Sequence, residues 1–215
     1  MRIMGIDQGI ANMGYSILDD KALVAYGYIS TNNKETIEQR LYSIYSRVEE
    51  LILEYNPEII CCEKLFYTAP SGESRNKSAS IIYTNMITGV LTCLAGKYGI
   101  EFRMFVPSMV KKAICNNGVA KKEEVIAKIK SMYSVQTLKS KAEHVCDSIS
   151  IAYTCNKQNE ENPEIRENFL ISLSDRKQKS EENKIKLKAL EDKRIKKEET
   201  EKSQAVKKSQ KEKKK

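Results

Sequence analysis

Three short apolar segments follow one another within the first 31 residues, and this succession restricts the fold more than any other feature of the sequence. The segments cover residues 2–6, 14–18 and 23–30. The residues between them, Asp7-Gln8-Gly9 and Asp19-Asp20-Lys21, are typical of tight turns. With connections this short, the sequence predicts an antiparallel meander of three strands.

Helical and strand-like segments alternate after the meander. Apolar residues at helical spacing between residues 37 and 52 predict a helix, and Asn32 with Glu35 approximates a capping box before it. The run Ile59-Ile60-Cys61-Cys62 predicts a strand covered on both faces. A fifth strand is expected at residues 100–105, and helices at residues 78–98, 107–115, 121–133 and 141–155. This order predicts an α/β protein with a mixed five-stranded sheet and helices on both faces.

The positive charge of the chain is concentrated toward its C-terminal end. The formal net charge is +8, but residues 176–215 contain 17 Lys or Arg and 8 Asp or Glu, which gives this segment +9. The first 175 residues hold 20 basic and 21 acidic residues and are almost neutral. A basic tail suggests a polyanionic partner such as nucleic acid, and the alternative is a tail that only improves solubility.

These features divide the chain into three parts. Residues 1–157 are expected to form a globular domain, and residues 158–175 a short amphipathic extension. Residues 176–215 are expected to form a Lys/Glu-rich tail that is either a solvated helix or disordered.

Local patterns argue against several classes of protein. No stretch reaches the roughly 18 apolar residues of a membrane-spanning helix, and the N-terminus has no signal-peptide pattern, so a cytoplasmic location without membrane association is expected. The six cysteines include no C-x-x-C pair and His144 is the only histidine, which argues against a structural zinc site. We expect the cysteines to be reduced, structural thiols.

Three acidic residues and one histidine occupy positions that the apolar pattern does not require. Asp7 and Glu63 each follow a predicted strand, and ligands gather at the carboxyl ends of strands in α/β sheets. His144 and Asp147 are three residues apart on the last predicted helix and therefore face the same way. Converging carboxylates repel each other, and Mg²⁺ or Mn²⁺ would remove this cost. Two such ions can promote phosphodiester hydrolysis, which makes these four residues a candidate metal-dependent site.

Each of these residues also has a structural interpretation. Asp7 precedes Gln8-Gly9 and can be a turn residue, and Glu63 can form a cap or an ion pair. A single histidine such as His144 can be a helix-surface residue. Asp147 is harder to explain in this way, because its neighbours on the helix are apolar. Spacing alone leaves both interpretations open.

Five segments together resemble the RuvC family of Holliday junction resolvases over roughly residues 1–156. Each segment is weakly informative by itself, but all five follow the order and the separations of the family. The segments are Ile3-Met4-Gly5-Ile6-Asp7-Gln8-Gly9 with Gly14-Tyr15-Ser16-Ile17, Cys62-Glu63-Lys64-Leu65-Phe66, Pro107-Ser108-Met109-Val110-Lys111-Lys112-Ala113, Gly118-Val119-Ala120-Lys121-Lys122, and His144-Val145-Cys146-Asp147-Ser148.

The resemblance implies a ribonuclease H-like fold and a homodimeric, Mg²⁺-dependent crossover junction endonuclease. Such an enzyme nicks opposed strands of a four-way DNA junction symmetrically, in recombination and repair. By resemblance, Asp7, Glu63 and Asp147 form the acidic site for two metal ions, and His144 belongs to the same site, where members carry either Asp or His. Mn²⁺ is expected to substitute for Mg²⁺.

The resemblance also implies which residues contact DNA. Lys111 and Lys122 fall on positions that contact phosphate near the scissile bond, and their neighbours Lys112 and Lys121 are counted with them. Phe66 falls on the aromatic residue that stacks on bases at the branch point, and Tyr67 could substitute for it.

Two departures from the family limit the transfer of substrate preference. The loop at residues 69–74 looks longer than in bacterial members, and the basic tail has no counterpart in them, so a phage-type or divergent member acting on other branched DNA as well is an open alternative. A catalytically silent module that binds branched DNA is a second alternative. An ATP-binding protein of the actin and Hsp70 type shares Asp7-x-Gly9 and the meander, but it needs two such domains, which this chain is too short to contain.

Overall fold

The structure is a computed structural model, and it describes residues 1–64, 75–135 and 139–162, together with separate helical residues between 164 and 189. The strands are β1 (Arg2–Asp7), β2 (Asn12–Asp19), β3 (Ala22–Ser30), β4 (Ile59–Glu63) and β5 (Glu101–Phe105). The helices are α1 (Ile37–Tyr55), α2 (Arg75–Tyr98), α3 (Pro107–Cys115), α4 (Lys122–Met132) and α5 (Lys139–Glu161).

The five strands form one mixed sheet in the order β3-β2-β1-β4-β5. The pairs β1–β2 and β2–β3 are antiparallel, whereas β4 runs parallel to both β1 and β5. The predicted meander and the predicted mixed sheet are therefore confirmed. Because β1 is the central strand, its C-terminal end lies in the middle of one edge of the sheet.

Helices cover both faces of the sheet, and the alternation along β1 assigns its side chains to the two faces. Met4 and Ile6 pack in one cluster with buried residues of α1 and α2, such as Ile44 and Leu91. Ile3 belongs to a second cluster on the other face, which includes residues of α5 and Val110 of α3. Buried on both sides, the central strands need the continuous apolar runs that the sequence shows.

The N-terminus of α1 differs from the prediction. Thr36 rather than Asn32 is the N-cap, and it forms a reciprocal capping box with Gln39. The Asn32 side chain accepts a hydrogen bond from the Lys34 backbone instead, so it stabilises a turn before the helix. Both pairs fit the capping pattern in sequence, and in the structure α1 begins at Ile37, directly after Thr36.

Other predictions concern the end of the globular domain and segments that the structure does not describe. The helix α5 continues to Glu161 and so passes the predicted domain boundary at residue 157. Phe66, Tyr67 and the loop at residues 69–74 lie outside the described residues, as do most residues of the tail.

Among the described helices, none has a sufficiently long apolar stretch to cross a membrane. All six cysteines are free, and Cys61, Cys62, Cys146 and Cys155 are buried, as expected for structural thiols.

Candidate active site

Asp7 and Glu63 lie side by side at one edge of the sheet. In the parallel pair of β1 and β4, Gly5 is opposite Cys61 and Ile6 is opposite Cys62, so Asp7 and Glu63 follow at the next position. Paired residues of parallel strands point to the same face of the sheet, and here that face is covered by α5. Two segments 56 positions apart in sequence thus bring their carboxylates together.

The helix α5 supplies His144 and Asp147 to the same edge, and two glycines allow it to lie close to the sheet. A Cβ atom at Gly5 would collide with the Ser148 carbonyl and would lie 2.8 Å from Cβ of Ala152. A Cβ atom at Gly14 would collide with the His144 carbonyl. Since both glycines are needed for this approach, the position of the two α5 side chains depends on the sequence of β1 and β2.

His144 contacts Asp7 directly. Its Nδ1 atom lies 2.7 Å from Oδ2 of Asp7, and both side chains are only partly exposed. This hydrogen bond raises the pKa of His144 above its usual 6.5, against the opposing effect of burial, and Asp7 and Asp147 also favour the charged imidazole. Asp7 and His144 therefore form a pair that the sequence predicts only as two members of one site.

Asp147 contacts a lysine from another helix. Nζ of Lys122, the first residue of α4, lies 3.0 Å from Oδ2 of Asp147 and also forms an ion pair with Glu143. Burial lowers the pKa of Lys122, but the hydrogen bonds to Glu143 and Asp147 outweigh burial and raise it above its usual value. Lys122 is thus a cation held between two carboxylates at the candidate site.

The crowding of acids has a clear electrostatic signature. Burial, with the nearby Asp7 and Asp147 carboxylates, raises the pKa of Glu63 to about 7, although Lys122 and Lys111 partly oppose this shift. Burial and the Asp7 carboxylate also raise the pKa of Asp147. Perturbed carboxylates that converge from different segments are typical of functional sites rather than of simple turns or caps.

A cavity of about 190 Å³ opens at these residues. Its described lining includes Glu63, Lys111, Lys122 and Asp147, whereas Lys112 and Lys121 are exposed nearby and are not among the lining residues described. The structure therefore brings together all four predicted acidic and histidine residues and two of the four predicted lysines.

The donor set fits hard divalent cations, although the side chains are turned toward other partners. Among the described residues, no group of three or more such side chains is arranged to hold an ion. In this arrangement Asp7 is hydrogen-bonded to His144, and Asp147 forms an ion pair with Lys122. Burial and the neighbouring carboxylates raise the pKa values of Glu63 and Asp147, so ionisation of these acids is costly, and a divalent cation would relieve this cost.

Three further residues lie around the site that the sequence does not mark as functional. The Gln8 side chain donates to the Glu63 carbonyl at 3.0 Å and accepts from the Glu63 amide at 3.2 Å, so it ties the ends of β1 and β4 together. It also donates to Thr88 of α2. Its place between Asp7 and Gly9 is the only available signal in the sequence. Lys141 and Glu143 both precede His144 in sequence, and their charges suggest a solvated helix surface until the tertiary contacts are known.

Together, a mixed sheet of order 3-2-1-4-5 with acids at the ends of β1 and β4 and on α5 defines a protein of the ribonuclease H-like class. The family model described as crossover junction endodeoxyribonuclease RuvC matches residues 3–155, and the chain belongs to this family.

Individual relatives agree with this family assignment. The chain is 31% identical over 159 residues to the RuvC endonuclease of Rickettsia conorii, and the aligned region covers 72% of this chain and 96% of that protein. It is 30% identical over 156 residues to the RuvC endonuclease of Caldanaerobacter subterraneus, which covers 71% of this chain and 90% of that protein.

Solved structures support the fold. The RuvC structure of Thermus thermophilus superposes with a TM-score of 0.62 at 22% identity, covering 75% of this chain and 97% of that one. The same organism's RuvC in complex with a Holliday junction substrate gives a TM-score of 0.61 at 24% identity, covering 72% of this chain and 92% of that one. The predicted ribonuclease H-like fold and the resemblance to the RuvC family are thus confirmed.

Proposed function

We propose that this chain is a DNA endonuclease that resolves four-way junctions by phosphodiester hydrolysis, in DNA recombination and repair. The observation that carries the proposal is the convergence of Asp7, Glu63 and Asp147 from β1, β4 and α5, with the pKa values of Glu63 and Asp147 raised. The chain covers 96% of a relative named as a crossover junction endodeoxyribonuclease, which supports the same reaction.

The proposed cofactor is Mg²⁺, with Mn²⁺ as a substitute and two ions in each site. Asp7, Glu63, His144 and Asp147 would hold the ions, because carboxylate oxygens are the preferred ligands of these hard cations. When bound, the ions supply an activated water and charge stabilisation of the leaving oxygen.

The residues of the chain itself have separate tasks in this proposal. Lys111 and Lys122, at the cavity beside Glu63 and Asp147, would hold oxygens of the scissile phosphate. Transfer of Lys122 from Asp147 to phosphate would leave the Asp147 carboxylate available as a ligand. His144 would be required in its neutral form, since the protonated imidazole has no lone pair for a cation. Phe66 and Tyr67 are proposed to stack on bases near the branch point.

A homodimer is the proposed assembly, because symmetric nicking needs two sites, and α2 offers a surface for it. Five exposed residues of α2 are spaced alternately four and three apart, which aligns them in one stripe of apolar or small side chains. The residues of the stripe are Ile82, Met86, Gly89, Cys93 and Gly96. Since the opposite side of α2 packs on the sheet, the helix is apolar on two sides, as an interface helix would be.

The dimer proposal is tested by the charge variant Met86→Glu, with Asn85→Glu beside the stripe as a control. The sedimentation coefficient of Met86→Glu should fall to the monomer value at concentrations where the control remains dimeric. Equal dimerisation of both variants would assign the interface to another surface.

Cleavage is tested with a labelled four-way junction incubated with and without Mg²⁺. Asp7→Asn should abolish cleavage and retain junction binding, because it removes a proposed ligand and weakens the repulsion of phosphate. The matched control is Asp20→Asn, in the β2–β3 turn at the opposite edge of the sheet, where Asn tolerates the positive φ of 50°. Binding without cleavage by the wild-type chain in Mg²⁺ or Mn²⁺ would instead support a catalytically silent binding protein.

A further inference from the structure

The side chain of Lys141 is held by neutral groups where β2 begins and β3 ends. Its Nζ atom is hydrogen-bonded to Oδ1 of Asn12 and lies 3.3 Å from Oγ of Ser30. The ammonium also lies over the ring of Tyr28, 5.0 Å from its centroid. Among the described residues, no carboxylate forms an ion pair with Lys141, in contrast to Lys122, which has two. An ammonium group has three N–H donors, and only two described oxygens accept from this one.

The positive charge of Lys141 does not stabilise the helix α5 in which it lies. It is the third residue of α5, and cations in the first turn of a helix are disfavoured by the helix dipole. The backbone N–H groups of that turn and the ammonium therefore favour the same ligand, which is an anion.

A second cation continues this surface away from the active site. Nε of Arg40 in α1 donates to Oγ1 of Thr31 at 2.8 Å, and Thr31 follows Ser30 in sequence. Among the described ion pairs, none involves Arg40. Lys141, Ser30, Thr31 and Arg40 thus form a strip, the β2–β3 rim, which crosses the end of β3 from the face covered by α5 to the face covered by α1 and carries two positive charges with hydroxyl groups between them.

The β2–β3 rim flanks the candidate active site on the side opposite to Lys111. In the sheet order, β2 and β3 lie on one side of β1, whereas β4, which carries Glu63 next to Lys111, lies on the other. Lys141 lies three residues before His144 on α5, which places it roughly 4.5 Å from His144 along the helix axis and on a similar side of the helix. An extended strand whose scissile phosphate lies at the acids would pass over this rim.

We propose that Lys141 binds a DNA phosphate within about two nucleotides of the scissile one, and that Arg40 continues the same track. Preorganisation by Asn12, Ser30 and Tyr28 lowers the entropy that the lysine loses on binding. The proposal rests on the proposed nuclease function and adds a second set of phosphate contacts to its DNA-binding surface. The DNA strand would then be bound on both sides of the acidic residues, which would hold the scissile phosphate in position between them.

The first test measures the affinity of the full-length chain for a fluorescent four-way junction in EDTA at several salt concentrations. Lys141→Gln should weaken binding about 3- to 10-fold and reduce the slope of log K against log[salt] by about one, and Lys141→Arg should restore both. The control is Lys21→Gln in the β2–β3 turn, far from the rim, where the lysine pairs with Glu160. The control should bind like the wild type.

The second test distinguishes direct contact from a structural effect. Single methylphosphonates are placed at the two phosphates on each side of the nick mapped with the wild-type chain. One position should weaken wild-type binding and have no further effect on Lys141→Gln, since that charge pair is already lost. Additive losses at all four positions, or equal affinities of Lys141→Gln and Lys21→Gln, would overturn the proposal. Failure of the wild-type chain to bind the junction would overturn the nuclease function and this inference together.

Discussion

Glu63 ends β4 beside two other carboxylates, and burial together with these neighbours raises its pKa to about 7. The ordinary value is 4.5, so between these values the folded chain retains a proton that the unfolded chain has lost. The free energy of unfolding therefore falls as the pH rises from about 4.5 to 7, and the loss is complete above that range. At neutral pH the unliganded site lowers stability, and a bound cation would reverse this effect.

This electrostatic cost predicts that Glu63→Gln stabilises the chain in EDTA at pH 8. The gain in the free energy of unfolding should be roughly 1–3 kcal/mol at pH 8 and close to zero at pH 4.5. Added Mg²⁺ at pH 8 should raise the melting temperature of the wild type more than that of the variant. Chemical denaturation and thermal melting measure both effects, with Glu58→Gln at the other end of β4 as the control. A variant less stable than the wild type in EDTA at pH 8 would contradict the electrostatic cost of ionised Glu63 beside Asp7 and Asp147.

His144 allows a prediction of pH dependence with a defined sign. The hydrogen bond to Asp7 raises the pKa of His144, so the contribution of this pair to stability is complete below pH 6.5 and is lost as the pH rises through the raised value. Cleavage, which is proposed to need neutral imidazole, should change in the opposite direction and fall as the pH drops into the range where the imidazole of the metal-bound site becomes protonated.

Single-turnover cleavage across pH, with thermal melting as a control for folding, tests the role of His144. His144→Asp should keep appreciable activity with a weaker pH dependence in this range, because a carboxylate can serve the same cation. His144→Ala should remain folded and lose most of the activity. Rates near those of the wild type in a folded His144→Ala would identify the histidine as a helix-surface residue.

At the scale of residues, the sequence predicts which side chains belong to the site better than it predicts the hydrogen bonds and ion pairs that these side chains form. Strand ends and helical spacing are local properties, and they select Asp7, Glu63 and Asp147 as candidates, which the resemblance to the RuvC family groups in one site. The contact of Lys122 with Glu143 and Asp147 depends on how α4 packs against α5. The hydrogen bond from Gln8 to the Glu63 backbone depends on the pairing of β1 with β4. Neither arrangement follows from spacing along the chain.

At the scale of elements, the distance between α5 and the sheet decides whether the site is assembled. Gly14 faces the His144 carbonyl, and an added methyl group there would push the helix away from β2. Gly14→Ala should lower the free energy of unfolding by roughly 1–3 kcal/mol and reduce cleavage at least about tenfold, because His144 and Asp147 move with the helix.

Ser16→Ala is the matched control for Gly14→Ala, since Ser16 lies on the same side of β2. Its buried hydroxyl has no hydrogen-bond partner among the described residues, so its removal should change stability by no more than about 0.5 kcal/mol. Denaturation and single-turnover cleavage of both variants provide the comparison. Equal behaviour of the two variants would show that α5 does not depend on close approach at Gly14.

The elements themselves follow closely from the sequence. The helix at 107–115 has the predicted limits because Pro107 favours the first turn and Asn116 takes a left-handed conformation after the last. The start of α2 at Arg75 and the end of α5 at Glu161 were not predicted, since polar residues at both ends hide helices that continue past the apolar pattern. The predicted N-cap of α1, Asn32, is wrong for a related reason, because two capping patterns lie close together in the sequence.

At the scale of the whole molecule, charge is separated from the catalytic fold. The first 175 residues are almost neutral, and the candidate site combines acids with a few lysines, whereas residues 176–215 carry a net charge of +9. Sequence predicts this division directly, since it depends only on composition. Recognition of a junction and general attraction to DNA are therefore expected to depend on different parts of the chain.

The tail, residues 176–215, is predicted to provide most of the salt-sensitive, non-specific affinity for DNA. Truncation after Asp175 should flatten the dependence of log K on log[salt] for duplex DNA, because fewer counterions are released on binding. Cleavage of saturating junction should change little, since the proposed catalytic residues all lie before residue 157. Replacing nine tail lysines by glutamine keeps the length and brings the net charge of the tail to zero, so this variant should reproduce the effect of the truncation. A salt slope that is unchanged in both variants would assign the tail to solubility or to a protein partner, and a slope changed only by truncation would make length rather than charge the relevant property.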